Sequence, residues 1–165
     1  MFVLGIDPGL SITGYGIIDV TGRAMRAVTA GVIRTSPEDS IADRLGELAN
    51  DLDAVIAEFA PAEAAIEEVF VNRNVQTAMA VGRASGVAIL SVARAGISIA
   101  EYTPSAVKLA VTGTGDADKR QVQNMVARRL GLETSPGPAD ASDALGIAIC
   151  HAQASTLVRM AGKGR

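Results

Sequence analysis

The chain has 165 residues, 48% of them hydrophobic and 20% charged, with one histidine, one cysteine and no tryptophan. That length suits one domain with a substantial core, and no apolar run reads as long and clean enough to span a bilayer. The start lacks the basic n-region and cleavage site of a signal peptide, and a single cysteine, Cys150, allows no internal disulfide, so a cytoplasmic, reducing compartment is expected.

The first third reads as β. Phe2–Asp7 is a buried strand, Gly14–Val20 a second and Ala24–Thr35 a third, with turn chemistry at Asp7-Pro8-Gly9-Leu10 and Thr21-Gly22-Arg23. A helix follows from Ser40 to Phe59, with Ile41, Leu45, Leu48, Leu52, Val55, Ile56 and Phe59 on one face and Pro61 as its stop. Ala64–Val71 reads as a buried strand, parallel to the first. Val75–Ala95 reads as a helix whose Gly82 and Gly86 share a face with Ala78 and Met79. That face serves either packing on its own sheet or a helix–helix contact between two copies. Ile97–Tyr102 is a short strand. Pro104–Val111 is a short helix, and Asp116 or Asp118 caps a further helix that runs to Leu130. The last helix starts near Asp140 and reaches about Met160. Residues 1–160 form the expected single domain and 161–165 a disordered tail. The expected class is α/β, a mixed five-stranded sheet with three leading antiparallel strands and helices on both faces.

Four acids stand out against this pattern. Asp7 ends an apolar strand, Glu67 follows Ala64-Ala65-Ile66, and Asp140 and Asp143 open an apolar helix. Buried carboxylates are tolerated when paired, hydrogen-bonded or metal-bound. Oxygen-only ligands suit a hard cation, with Mg2+ first. Each acid also has a plainer reading. Asp-Pro-Gly is a turn sequence. Asp140 can be a helix N-cap and Asp143 a first-turn acid, where the helix dipole favours negative charge. Glycines 9, 14 and 16 leave little bulk around the first loop, room for a substrate backbone. Glu67 and Glu68 point to opposite sides of a strand, and alternation alone does not choose between them.

The net charge of −3 argues at first against a polyanionic partner. Its distribution argues otherwise. Residues 38–68 hold ten acids and one base, Arg44, whereas residues 69–165 hold eleven bases and six acids. Setting aside the four candidate ligands leaves 15 bases against 14 acids. Local potential, not the total, steers a charged partner. A solvated acidic helix accounts for the same segregation.

Taken together, an Asp after the first strand, a Glu after the fourth and an Asp-x-x-Asp opening the last helix resemble the ribonuclease-H-like nuclease superfamily. Gly5-Ile6-Asp7-Pro8-Gly9, Thr13-Gly14-Tyr15-Gly16, Ile66-Glu67-Glu68-Val69-Phe70, Gly86-Val87-Ala88, Lys119 with Gln121-Val122-Gln123, and Ala139-Asp140-Ala141-Ser142-Asp143-Ala144-Leu145 with His151 resemble the RuvC family of Holliday junction resolvases. The likeness spans about residues 1–155.

The resemblance implies a ribonuclease-H-like fold and a Mg2+-dependent endodeoxyribonuclease of recombination and repair. It would cut four-way junctions symmetrically in two strands of like polarity and leave ligatable 5′-phosphate and 3′-hydroxyl ends. Asp7, Glu67, Asp140 and Asp143 would hold two Mg2+ per subunit, with Mn2+ a substitute, and the family pattern selects Glu67 over Glu68. Lys119 would act at the scissile phosphate, Lys108 and Lys119 would contact DNA, and Phe70 would stack on an unpaired base. On spacing alone, either lysine is equally an ordinary solvated side chain and Phe70 a core residue. His151 reads as a core or supporting residue. The resemblance further implies a homodimer, joined through the Gly82/Gly86 helix, and two partners, a junction-binding protein and a hexameric branch-migration ATPase. The setting would be the cytoplasm, at the nucleoid. An actin-like ATPase or sugar-kinase lobe also opens on Gly-Ile-Asp-x-Gly, but the chain is too short for two lobes. A non-catalytic junction binder has no reason to cluster four acids against phosphate.

Overall fold

The computed structural model describes residues 1–69, 74–134 and 137–162, of which 157–162 are described as helix backbone. Five strands and five helices follow in the order β1 (Phe2–Asp7), β2 (Ile12–Thr21), β3 (Ala24–Arg34), α1 (Ile41–Phe59), β4 (Glu63–Glu67), α2 (Val75–Arg94), β5 (Ser98–Tyr102), α3 (Pro104–Thr112), α4 (Lys119–Arg129) and α5 (Ala139–Gly162). The sheet order is β3-β2-β1-β4-β5. β1 pairs antiparallel with β2, and β2 with β3, whereas β4 runs parallel to both β1 and β5. This is the expected mixed sheet.

Helix boundaries follow local chemistry. The Ser40 side chain accepts from the Asp43 N–H to start α1, and Ala60 closes that helix in the left-handed region at φ 45°. Thr103 caps α3, with Pro104 in its first turn. Asp118, not Asp116, caps α4 through a reciprocal capping box with Gln121. α2 meets the length and composition of a membrane span, which differs from the sequence expectation. Its small residues raise the apolar average. In the fold its Ala84, Ala88 and Val92 are fully buried in the core that holds α1 and the sheet.

Strand alternation splits the apolar residues into two cores. Leu4, Ile6, Ile17, Ala64 and Ile66 face α1 and α2, with Leu48, Leu52 and Val92 against them. Val3, Ile18 and Ala65 face α3, α4 and α5, with Val111, Val126, Leu145 and Ile149 against them. Each fully buried Ile or Leu contributes about 1.5–3 kcal/mol. Helices therefore cover both faces of the sheet.

β4 is shorter than its apolar pattern suggested and ends at Glu67, where Tyr102 of β5 is the last paired residue. With no further partner the ladder stops, and Glu68 retains one bond, from its N–H to the Tyr102 carbonyl at 2.8 Å. α5 continues through Gly162, past the expected start of a tail at 161, and residues 163–165 lie outside the described residues.

Candidate active site

Asp7 is the last residue of β1, and its register partner on β2 is Gly14. By alternation Asp7 shares a face with Val3, the face that α5 covers. Close approach of α5 depends on missing side chains. A Cβ on Gly14 would collide with the Asp140 carbonyl, one on Gly5 with the Ala144 carbonyl, and one on Gly16 with the Leu145 side chain. Glycines 14 and 16 therefore make room for the chain's own helix, not for a substrate backbone as their position in the sequence suggested. A Cβ on Gly9 would likewise meet the Ile12 carbonyl of its own loop.

The start of α5 brings two acids to this face. The Pro138 carbonyl accepts from the N–H groups of Ala141 and Ser142 at 3.1 and 3.2 Å, so Pro138 holds the capping position. Asp140 is then inside the first turn and is not the cap that the sequence allowed. Asp140 remains at the positive end of the helix dipole, whereas Asp143 lies past the first turn and is not the first-turn acid that the sequence suggested.

Glu67 closes the set from β4. Ile6 pairs with Ile66, so Asp7 and Glu67 leave neighbouring parallel strands at the same level. The other three acids all bear on Asp7. Burial pushes the Asp7 carboxyl up from 3.8 to about 7, with Glu67, Asp143 and Asp140 adding to the rise and Lys119 opposing it. Burial likewise raises Glu67, Asp143 adds to it, and Lys119 and Lys108 pull it back. Glu68 is exposed and is not among the charges that act on Asp7. The structure thus separates the two glutamates that alternation left equivalent.

Lys119, the first residue of α4, donates to Asp143 Oδ2 at 3.0 Å. That hydrogen bond holds its ammonium above the ordinary lysine range, against a smaller opposing effect of desolvation. Lys108 comes from α3. Glu67, Lys108, Lys119 and Asp143 line one cleft with Pro104, Val107 and Val122, about 210 Å³ in volume. An adjoining cleft of about 280 Å³ is lined by Pro8, Glu67, Glu68, Asn74 and Thr77. Both expected lysines therefore face the acids. Phe70 lies outside the described residues.

His151, read from the sequence as a core or supporting residue, is placed among hydrogen-bond partners away from the acids. Its Nδ1 lies 3.0 Å from the Tyr102 hydroxyl and its Nε2 3.0 Å from Glu63 Oε2. It ties α5 to β4 and β5 beneath the acids and does not join them. The only sequence signal is a polar residue in the apolar run of α5. Cys150 is a core thiol whose pKa burial pushes up to about 11.

Among the described residues no three His, Cys, Asp or Glu side chains form a ready metal cage. Asp143 meets Lys119. The donor set still fits Mg2+. That ion is held by one or two carboxylates together with waters and substrate phosphates, not by a closed protein cage. An Asp7 carboxyl raised to about 7 by burial and three neighbouring acids marks a place short of positive charge.

Residues 3–151 match the family described as Crossover junction endodeoxyribonuclease RuvC. Relatives of that description from Heliobacterium modesticaldum and Roseiflexus sp. are 51% and 48% identical, over 94% and 98% of this chain and 96% of each of theirs. The structure of Thermus thermophilus RuvC in complex with a Holliday junction substrate superposes with a TM-score of 0.91 at 36% identity, covering 96% of both chains. The yeast mitochondrial Holliday junction resolvase shares the fold at a TM-score of 0.65 and 12% identity, covering 96% of this chain and 82% of its own. The acids at the ends of β1 and β4 and at the start of α5 thus sit on the sheet of a known nuclease family, and the chain belongs to the RuvC family of crossover junction endodeoxyribonucleases.

Proposed function

We propose that this protein resolves Holliday junctions as a structure-selective, Mg2+-dependent endodeoxyribonuclease. The observation that carries the reading is the coupling of Asp7, Glu67, Asp140 and Asp143 around one point on the sheet. Asp7, Glu67, Asp140 and Asp143 hold two Mg2+, or Mn2+ in their place. When bound, such ions would lower the pKa of a water and offset the charge on the leaving oxygen of an in-line displacement. Asp7 and Glu67 approach from rigid strand ends, and Asp140 and Asp143 from the opposite side on α5. Lys119 orients Asp143 and, with Lys108, offers positive charge to the phosphate and to the charge that grows on it. The water oxygen bonds to phosphorus, the P–O3′ bond breaks, and a proton ends on the 3′ oxygen. The products are 5′-phosphate and 3′-hydroxyl ends that a ligase can join. Phe70 stacks on a base near the crossover.

Two sites must act on two strands, so the working unit is a homodimer. α2 offers a face for it. Val75, Met79 and Leu90 are 53–60% exposed, and beside them the Cβ positions of Gly82 and Gly86 meet nothing within 4 Å. The sheet-facing side of α2 is instead Ala84, Ser85, Ala88, Ser91 and Val92. A junction-binding protein and a hexameric branch-migration ATPase are the proposed partners, at the nucleoid in the cytoplasm. A labelled four-way junction mixed with the protein in Mg2+ and in Ca2+ tests the reading. Cleavage in Mg2+ with binding alone in Ca2+ supports it, and binding without cleavage in either ion replaces it with a junction-binding module.

A further inference from the structure

A buried cation stands at the edge of the site without an anion. Arg44 on α1 is 7% exposed. Its Nε donates to Thr35 Oγ1 at 2.9 Å and its Nη2 to Ser11 Oγ at 2.8 Å. Thr35 in turn donates its hydroxyl to the Leu10 carbonyl at 2.6 Å and its N–H to the Ser11 carbonyl at 3.2 Å. Every one of these partners is neutral, and no carboxylate pairs with Arg44 among the described residues. The nearest acid in sequence, Asp43, accepts the Ser40 hydroxyl at 2.6 Å instead.

Arg44 Nη1 makes no hydrogen bond among the described residues, yet it is not sealed from solvent. The one buried side-chain polar atom described without a partner is Ser142 Oγ. The guanidinium thus keeps a small solvent contact, and its neighbour Ser11 is exposed. Charges held this deep are ordinarily paired. A planar guanidinium fork with a neighbouring hydroxyl matches the oxygens of a phosphate.

The position fits a nucleic-acid strand. Ser11 lies four residues past Asp7, so their Cα atoms are at most about 14 Å apart. One strand of DNA advances about 3.4 Å per phosphate along its axis. From Asp7 to Ser11, which Arg44 contacts, is thus at most a few nucleotides.

We propose that Arg44 and Ser11 form a docking site for a non-scissile phosphate of the strand that is cut, a few nucleotides from the cleaved bond. The site rests on the nuclease reading above. The same guanidinium clamps the loop that follows Asp7, so strand docking and placement of Asp7 share one anchor.

The test replaces single phosphates of a four-way junction with neutral methylphosphonates around the cut and measures binding in Ca2+. For the wild type, one neutral linkage within about four nucleotides of the cut weakens binding, since its contact is lost. Arg44→Gln binds the natural junction less tightly, has a salt slope smaller by about 1 per protomer, and is insensitive to that linkage. Ser11→Asp guards against a folding defect in Arg44→Gln. The new carboxylate pairs with Arg44, so its melting temperature holds or rises while sensitivity to the linkage disappears. Equal sensitivity of the wild type and both variants at every linkage would overturn the site. Cleavage of the unmodified junction by the wild type in Mg2+, run alongside, separates that outcome from failure of the nuclease reading.

Discussion

Replacing Asp7 by asparagine isolates the energetic oddity on which the site is built. Burial and three neighbouring acids raise the Asp7 carboxyl from 3.8 to about 7. At about 1.36 kcal/mol per pKa unit, that rise corresponds to about 4 kcal/mol held against folding when the group is ionised and no metal is bound. The asparagine amide is still a polar group in the same buried place, so the substitution recovers part of it, about 2 kcal/mol. For a chain of this size that is a gain of about 4–8 °C in melting temperature. The sign follows from proton linkage. Between about pH 4 and pH 7 the folded protein keeps a proton that the unfolded chain releases, so wild-type stability falls as the pH rises through this window. The asparagine side chain has no such proton. Thermal unfolding in a metal chelator should therefore show Asp7→Asn above the wild type at about pH 8 and by a clearly smaller margin at about pH 5, closing towards about pH 4, below which Asp is protonated in both the folded and the unfolded chain. Added Mg2+ should raise the wild type more than the variant, because the proposed ion site is complete only in the folded wild type. Equal melting temperatures at the higher pH, or the same advantage at both, would refute the electrostatic reading of Asp7.

The other predictions probe single parts of the same arrangement. Glu67→Gln should slow junction cleavage by about 10²–10³-fold in a single-turnover assay, while Glu68→Gln changes it far less; the reverse order would place the site on the wrong glutamate. Gly14→Ala forces a Cβ into the Asp140 backbone and should cost about 1–3 kcal/mol in denaturant unfolding, with cleavage lost out of proportion as α5 shifts. Unaltered stability would mean that α5 moves away without cost. Ser142→Ala removes a buried hydroxyl with no partner among the described residues, so its melting temperature should stay level or rise; a clear fall would reveal a bond that the hydroxyl makes in solution.

The acids stand out in the sequence because a lone carboxylate beside an apolar run is costly: Asp7 ends one, Glu67 follows one, and Asp140 and Asp143 open one. Helix starts are legible at Ser40 and Asp118, where side-chain capping is a local signal. Matters that depend on a distant element are not. Glu67 and Glu68 are equivalent until one knows which face of β4 meets α5. Glycines 14 and 16 announce an approaching backbone without naming it, and that backbone is α5. The end of β4 is set by the reach of β5, not by its own apolar run. His151 gives no sign that it joins residues 49 and 88 positions away. Arg44, one base among ten acids in its segment, is only part of a charge count until its buried hydroxyl partners place it beside the first loop.

The most direct measurement sets strand-labelled four-way junction, linear duplex and RNA–DNA hybrid of matching sequence before the protein in Mg2+, with Asp7→Asn as the control. A junction resolvase nicks the junction alone, at symmetry-related positions in two strands of like polarity, with nicks that ligase reseals and with no cleavage by the control. Cleavage of the hybrid as fast as the junction, or undiminished cutting by Asp7→Asn, would contradict a junction-selective site built on the four acids.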